Sequence, residues 1–220
     1  MRISEADNPQ VHDLLQIDPD LLNAACGAPS WVSHALSVYP WLVVRRRKAP
    51  ADEVAVGVRG NNRNERWGGF IQKTSIKKIV RPAELLVGMQ DPTRILRTPA
   101  LRTLHNVIER WRELDLPWGP TGSVGFELAS GCQVTTETSD LDIAIRAPKR
   151  IPIERALLLW ERANGLRIKV DIRVETPECG FSLQEFACSS SARILLRYPD
   201  GVRLGDDPWR ASGKPVETAA

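Results

Sequence analysis

No stretch of this 220-residue chain is apolar for long enough to span a bilayer. The longest such run, around Trp41-Leu42-Val43-Val44, falls far short of the ~18 residues a membrane helix needs. The first fifteen residues, MRISEADNPQVHDLL, carry early acids and no signal-like apolar core, so a cytoplasmic location is expected. Cysteine is sparse too. The four, at 26, 132, 179 and 188, form no C-x-x-C pair and suggest neither a disulfide framework nor a zinc knuckle. The three histidines at 12, 34 and 105 are too scattered for a local metal-ligand pair. A zinc enzyme is therefore not expected. Repeats and low-complexity tracts are absent, and with 42% hydrophobic and 26% charged residues the composition is that of a globular chain.

The net charge of +3 hides an uneven distribution. Residues 1–114 hold 17 Lys/Arg against 12 Asp/Glu, whereas residues 115–220 hold 13 against 15. Between Arg45 and Arg81 there are eleven basic residues and three acidic ones, an excess that attracts polyanions unless it is merely a solvated face.

The N-terminal part reads as short strands at Trp41–Arg45, Val54–Arg59 and Gly69–Gln72, separated by Pro, Gly and Asn. A helical turn starting at Pro82 follows, then the stretch from Gly88 to Arg97, which has no clear period. That stretch divides the chain into a domain of residues 1–95 and another of 96–220. Thr98-Pro99 supplies a capping hydroxyl and a proline at the first helical position. Leu101, Leu104, Val107, Ile108, Trp111 and Leu114 then share one helix face. Beyond it the order reads extended (Leu116–Gly122), helix (Ser123–Ser130), strand (Leu141–Arg146), helix (Pro152–Asn164), strand (Arg167–Thr176), helix (Ser182–Cys188). A hairpin of Ala192–Tyr198 and Gly201–Leu204 turns at Pro199-Asp200-Gly201. The expected fold class is α/β (α+β): a small, mostly β N-terminal domain followed by a mixed-sheet domain.

The chemistry concentrates in the second domain. Alternation along a strand puts Asp140, Asp142, Ala144 and Arg146 on one side, with Leu141, Ile143 and Ile145 on the other. Two aspartates so placed can hold Mg2+, a hard cation that prefers oxygen ligands at ~2.0–2.1 Å. In RIKVDIRVE (167–175), Ile168, Val170, Ile172 and Val174 alternate with Lys169, Asp171, Arg173 and Glu175. If the two strands are neighbours, Asp171 becomes a third carboxylate for a metal site. The plainer alternative pairs Asp171 with Arg173 or Lys169 on a solvated face. Upstream, Thr121-Gly122-Ser123-Val124-Gly125 stands between a strand and a helix, where free N–H groups and the Ser123 hydroxyl can receive a phosphate.

Gly-Ser at a helix start, Asp-x-Asp on the next strand and a later third acid resemble the nucleotidyltransferase superfamily. WGPTGSVGFELASG (118–131) followed by SDLDIAIR (139–146) is more specifically similar to the malonate decarboxylase holo-acyl-carrier-protein synthase family, the phosphoribosyl-dephospho-CoA transferases. HDLL (12–15), WLVVRR (41–46) and VAVGVRGNNRNERW (54–67) resemble that family's N-terminal domain. Sixteen residues separate Ser123 from Asp140, more than in most nucleotidyltransferases, which argues against a generic member such as an antitoxin or an aminoglycoside-modifying enzyme.

The resemblance implies transfer of a prosthetic group from 2'-(5''-triphosphoribosyl)-3'-dephospho-CoA to a serine of the acyl carrier protein subunit of malonate decarboxylase, with loss of diphosphate. In that scheme Asp140 and Asp142 carry Mg2+, Gly122 and Ser123 hold phosphates, and Asp171 completes the metal site or accepts the serine proton. Arg59, Arg63 and Arg66 are then candidates for binding the donor or the carrier. The equivalent citrate lyase synthase is a sister reading, disfavoured by the long N-terminal domain. A nucleic-acid-binding module using residues 45–81 is disfavoured by the few aromatics among its basic residues.

Overall fold

The computed structural model describes residues 8–18, 28–60, 65–191 and 193–210. Arg63, Cys26 and Ala192 lie outside the described residues. Helices and two sheets make up the described residues, the α/β class expected, and the first sheet is wholly antiparallel. Its strands are β1 (Leu14–Ile17), β2 (Trp41–Val44), β3 (Glu53–Arg59), β4 (Arg66–Gln72) and β5 (Ile76–Val80), in the spatial order β4-β3-β2-β1-β5.

Helix α1 (Ser30–Val38) covers one face of this sheet with Val32 and Leu36, against Leu15, Ile17, Leu42, Val44, Val56 and Val58. The sequence reading passed over α1, which has no side-chain cap and only two buried apolar positions to show a period. It also passed over β1 and β5, each short and only locally apolar. Pro82–Gln90 continues its first turn as a 3-10 segment, and Pro92–Arg97 is a short helix, α2, within the stretch that showed no period. Asp91-Pro92 starts α2 as Thr98-Pro99 starts the next helix: the Asp91 carboxylate accepts from the Thr93 N–H at 2.9 Å.

The second sheet holds β6 (Trp118–Pro120), β7 (Leu141–Arg146), β8 (Val170–Glu175), β9 (Gly180–Ser182), β10 (Ile194–Tyr198) and β11 (Gly201–Gly205), in the order β11-β10-β9-β8-β7-β6. Only β7 and β8 run parallel, and their crossover contains α5 (Ile153–Ala163), reached after α3 (Pro99–Arg110) and α4 (Gly122–Ser130). Helix α6 (Leu183–Cys188) directly follows β9.

Leu101, Leu104 and Val107 of α3, the following Trp111, and Ala156 and Leu159 of α5 bury the apolar face that Leu141, Ile143, Ile145, Ile172 and Val174 present. Alternation sends the charged residues of β7 and β8 to the opposite face, where the N-terminal sheet lies. Between the sheets, Phe126, Leu128 and Ala129 of α4 pack on Leu14, Trp41, Val80 and Leu85. The helix that begins with Gly122-Ser123 is thereby clamped by both halves of the chain. Among the described residues no helix is long and apolar enough to cross a membrane.

Candidate active site

Strand β6 pairs antiparallel with β7, and beyond Pro120↔Ile143 the Thr121 N–H donates to the Asp142 carbonyl at 2.8 Å. This bond lays the start of α4 beside the Asp142 side chain. Gly122 then has to be glycine on two counts. Its φ of +56° is in the left-handed region, and a Cβ there would occupy the space of Asp142 Oδ2. Thr121 makes no side-chain capping bond, so no capping side chain competes for the first-turn N–H groups, and Ser123 is half-buried beside them.

Asp140 is exposed immediately before β7, and Asp142 is half-buried two residues on. The parallel register sets Asp142 directly opposite Asp171 on one face, and Asp140, just before the strand, is near enough for its charge to act on Asp142. Burial pushes the Asp142 carboxyl above its ordinary range, Asp171 and Asp140 push it further, and Arg173 and His12 oppose them. Asp171 also accepts from Arg173 Nη2 at 2.9 Å, the pairing expected of a plain charged face.

Among the described residues no three His, Cys, Asp or Glu side chains enclose a ready-made metal cage. An open pair of carboxylates still fits Mg2+, which usually takes one or two from the protein and completes its shell with substrate phosphates and water. The close approach of Asp142 to Gly122 fits the same chemistry, since it brings a carboxylate oxygen to a helix start able to hold those phosphates.

Two polar assemblies escaped the sequence reading. Glu127, on α4 and almost fully buried, accepts from the Val134 and Thr135 N–H groups at 3.0 and 2.9 Å and from the Thr135 hydroxyl at 2.8 Å. Arg97 pairs with Glu127 and donates to the Thr135 hydroxyl at 2.8 Å. Together they pin the loop that delivers Asp140. Nothing in a glutamate within an otherwise ordinary helix announces this role.

The second assembly joins the two domains. His12, with a left-handed φ of 72°, bonds through Nε2 to Glu175 Oε1 at 2.9 Å, while Arg46 pairs with the same carboxylate and Arg146 with the fully buried Asp13. Burial first, then Arg46, Arg146 and Arg173, hold His12 down at about 4 against the pull of Asp142. Burial also holds the Asp13 carboxyl above its usual range, against the Gln10 N–H and Arg146.

The His12 shift predicts an acid weakness. In the unfolded chain histidine protonates near 6.5, whereas the folded protein keeps His12 neutral, so stability falls as pH drops from about 6.5 towards 4, by up to ~3 kcal/mol. Asp13 works in the opposite direction, losing stability as pH rises. Thermal melts of wild type and His12→Gln from pH 7 to 5 separate the two. The wild-type melting temperature should fall more steeply, and parallel slopes would remove His12 as the cause.

Arg59 and Arg66 face each other across β3 and β4, both exposed. Neither lines the seam where Arg46 and Arg146 meet Glu175 and Asp13.

Residues 86–208 match the family model described as the phosphoribosyl-dephospho-CoA transferase MdcG C-terminal domain, and residues 10–82 match that of the corresponding N-terminal domain. A relative from Azotobacter vinelandii named phosphoribosyl-dephospho-CoA transferase is 38% identical over 204 residues, covering 92% of this chain and 95% of its own. Relatives of the same name from Pseudomonas aeruginosa and Pseudomonas putida are each 37% identical, covering 92% and 91% of this chain and 94% and 95% of theirs. No solved structure matches.

Proposed function

The chain belongs to the phosphoribosyl-dephospho-CoA transferase family and is a transferase, and on that premise we propose that it loads the acyl carrier protein subunit of malonate decarboxylase. The donor is 2'-(5''-triphosphoribosyl)-3'-dephospho-CoA. A serine Oγ of the carrier attacks the α-phosphorus, an Oγ–P bond forms, the bond to the departing diphosphate breaks, and the serine proton is released.

The observation that carries this reading is the contact between Gly122 and Asp142, which sets a phosphate-binding helix start against a carboxylate pair. The first-turn N–H groups of α4 and the Ser123 hydroxyl hold the triphosphate oxygens. Asp140 and Asp142 are the groups that would hold Mg2+. When bound, that ion neutralises charge on the phosphates as the serine arrives. Asp171, with one oxygen engaged by Arg173, keeps its other for the metal or for the serine proton. Arg59 and Arg66 extend from the β3–β4 pair as contacts for the acidic carrier. The malonate decarboxylase carrier is preferred to that of citrate lyase because of the long N-terminal domain, which residues 10–82 make up.

Mass spectrometry of apo carrier proteins after incubation with enzyme, donor and Mg2+ tests the proposal. The malonate decarboxylase carrier should gain the phosphoribosyl-dephospho-CoA mass, the citrate lyase carrier should gain it slowly, and a serine peptide hardly at all. Equal rates on all three would overturn the idea of a dedicated carrier-protein modifier.

A further inference from the structure

Between the first sheet and the ends of β7 and β8 lies a cleft of about 1010 Å³. That is the upper end of the ~300–1,000 Å³ typical of small-molecule sites, large enough for an extended ligand. Arg45, Arg46, Arg47, Lys73 and Arg81 reach it from the N-terminal side and Arg146 from β7. Glu53 and Glu175 are its only carboxylates among the described lining residues, and both are engaged: Glu175 by His12 and Arg46, Glu53 by the Gln72 amide at 2.9 Å.

Three of the cations, Arg45, Arg47 and Lys73, have no carboxylate partner among the described residues, and two of them are held in place by something other than counter-charge. Gly57 and Gly68 face each other across β3 and β4, and the Arg45 side chain lies over both. A Cβ at Gly57 would come within 2.9 Å of Arg45 Cδ, and one at Gly68 would fill the place of its guanidinium. The Arg47 guanidinium sits over the Phe70 ring at 5.2 Å. Cations fixed by a glycine floor and an aromatic face, with no partner charge to displace, are preorganised for an anionic guest.

The rest of the lining narrows the guest. Prolines and aliphatic residues such as Pro9, Val11, Val44 and Val54 form the walls, and among the described residues no aromatic side chain lines the cleft to stack on a base. This suits a phosphate carrying a flexible aliphatic arm. Arg146 and Glu175 stand four residues along β7 and β8 from Asp142 and Asp171, on the same face, which is ~13 Å at ~3.3 Å per residue.

We propose that this cleft binds the diphosphate bridge and pantetheine arm of the donor's dephospho-CoA portion, while its triphosphate end lies at Gly122 and Asp142. The inference rests on the donor assigned under the proposed function. Isothermal titration with dephospho-CoA, and separately with Mg2+ tripolyphosphate, tests it. Arg47→Glu/Lys73→Glu should weaken dephospho-CoA at least ~10-fold, the scale of one lost charge-assisted contact, and leave tripolyphosphate within twofold. Arg45→Gln serves as the second variant should the charge reversals unfold the protein, and it should shift dephospho-CoA in the same direction. Unchanged dephospho-CoA affinity in these variants overturns the cleft assignment. Loss of tripolyphosphate with dephospho-CoA retained overturns it too, by putting the other end of the donor there. A wild-type protein that binds neither ligand refutes the functional reading itself, which separates the two failures.

Discussion

Asp142→Asn is expected to lower carrier loading by at least ~10^3 while raising the melting temperature of the metal-free protein. The rate loss follows from removing one charged group of a preorganised electrostatic site. The gain in stability follows from the direction of the Asp142 shift. Burial, Asp171 and Asp140 hold its folded-state pKa above the unfolded value. Stability from such a group is fully present below the unfolded pKa and lost as pH rises through the folded one, so at neutral pH the carboxylate costs the fold something that asparagine does not. Asparagine also keeps the shape that fits against Gly122.

Mg2+ should then raise the melting temperature of wild type and leave the variant nearly unmoved. Scanning calorimetry with and without Mg2+, beside a loading assay, reads all three effects. Retention of more than a tenth of wild-type turnover at saturating Mg2+ would remove Asp142 from the metal site. A lowered melting temperature would make it a structural residue instead.

Glu127→Ala should produce the largest loss of stability, ~3–5 kcal/mol, because it strips a buried carboxylate from Arg97 and leaves two N–H groups of the following loop without their acceptor. Urea unfolding measures that loss. Amide exchange should speed up at Val134 and Thr135, whose N–H groups Glu127 holds, and loading should slow because the freed loop leads to Asp140. A loss below 1 kcal/mol would show that Arg97 and Thr135 suffice without it. Replacing Arg97 and Glu127 together by leucines should cost less than the sum of the single changes, as the isolated charge disappears with its partner.

Most of the local grammar of the second domain was legible, although the three-residue β9 was not read and β8 starts at Val170, three residues after the strand expected from Arg167. Alternation on 141–146 and 167–175 placed Asp142 and Asp171 on polar faces, and the observed register sets them opposite each other. Thr98-Pro99 and the apolar spacing after it specified α3, whose Leu101, Leu104 and Val107 are fully buried. The helix read from Ser123 was legible in the glycine and the strand before it, and it begins one residue earlier, at Gly122. By contrast, α2 had a usable signal in Asp91-Pro92 that its six residues were too short to reinforce with a period. Short elements such as β1 and β5 carry too few alternations to be told from loops.

The sequence by itself thus determined the fold class, the family resemblance that the comparisons bear out, and which side chains share a strand face, because periods of two and of 3.6 act between near neighbours. Only the tertiary structure decided that His12 meets Glu175 across 163 positions, that Arg97 and Thr135 converge on Glu127, and that Arg45 lies over Gly57 and Gly68. It also decided that Arg45, Arg47 and Lys73 border a cleft, whereas Arg59 and Arg66 do not. The physical reason is that a charged residue on a strand face reads the same whether water or a second sheet lies above it. That covering surface is set by the packing of α4 between the two sheets, which joins positions no local pattern connects.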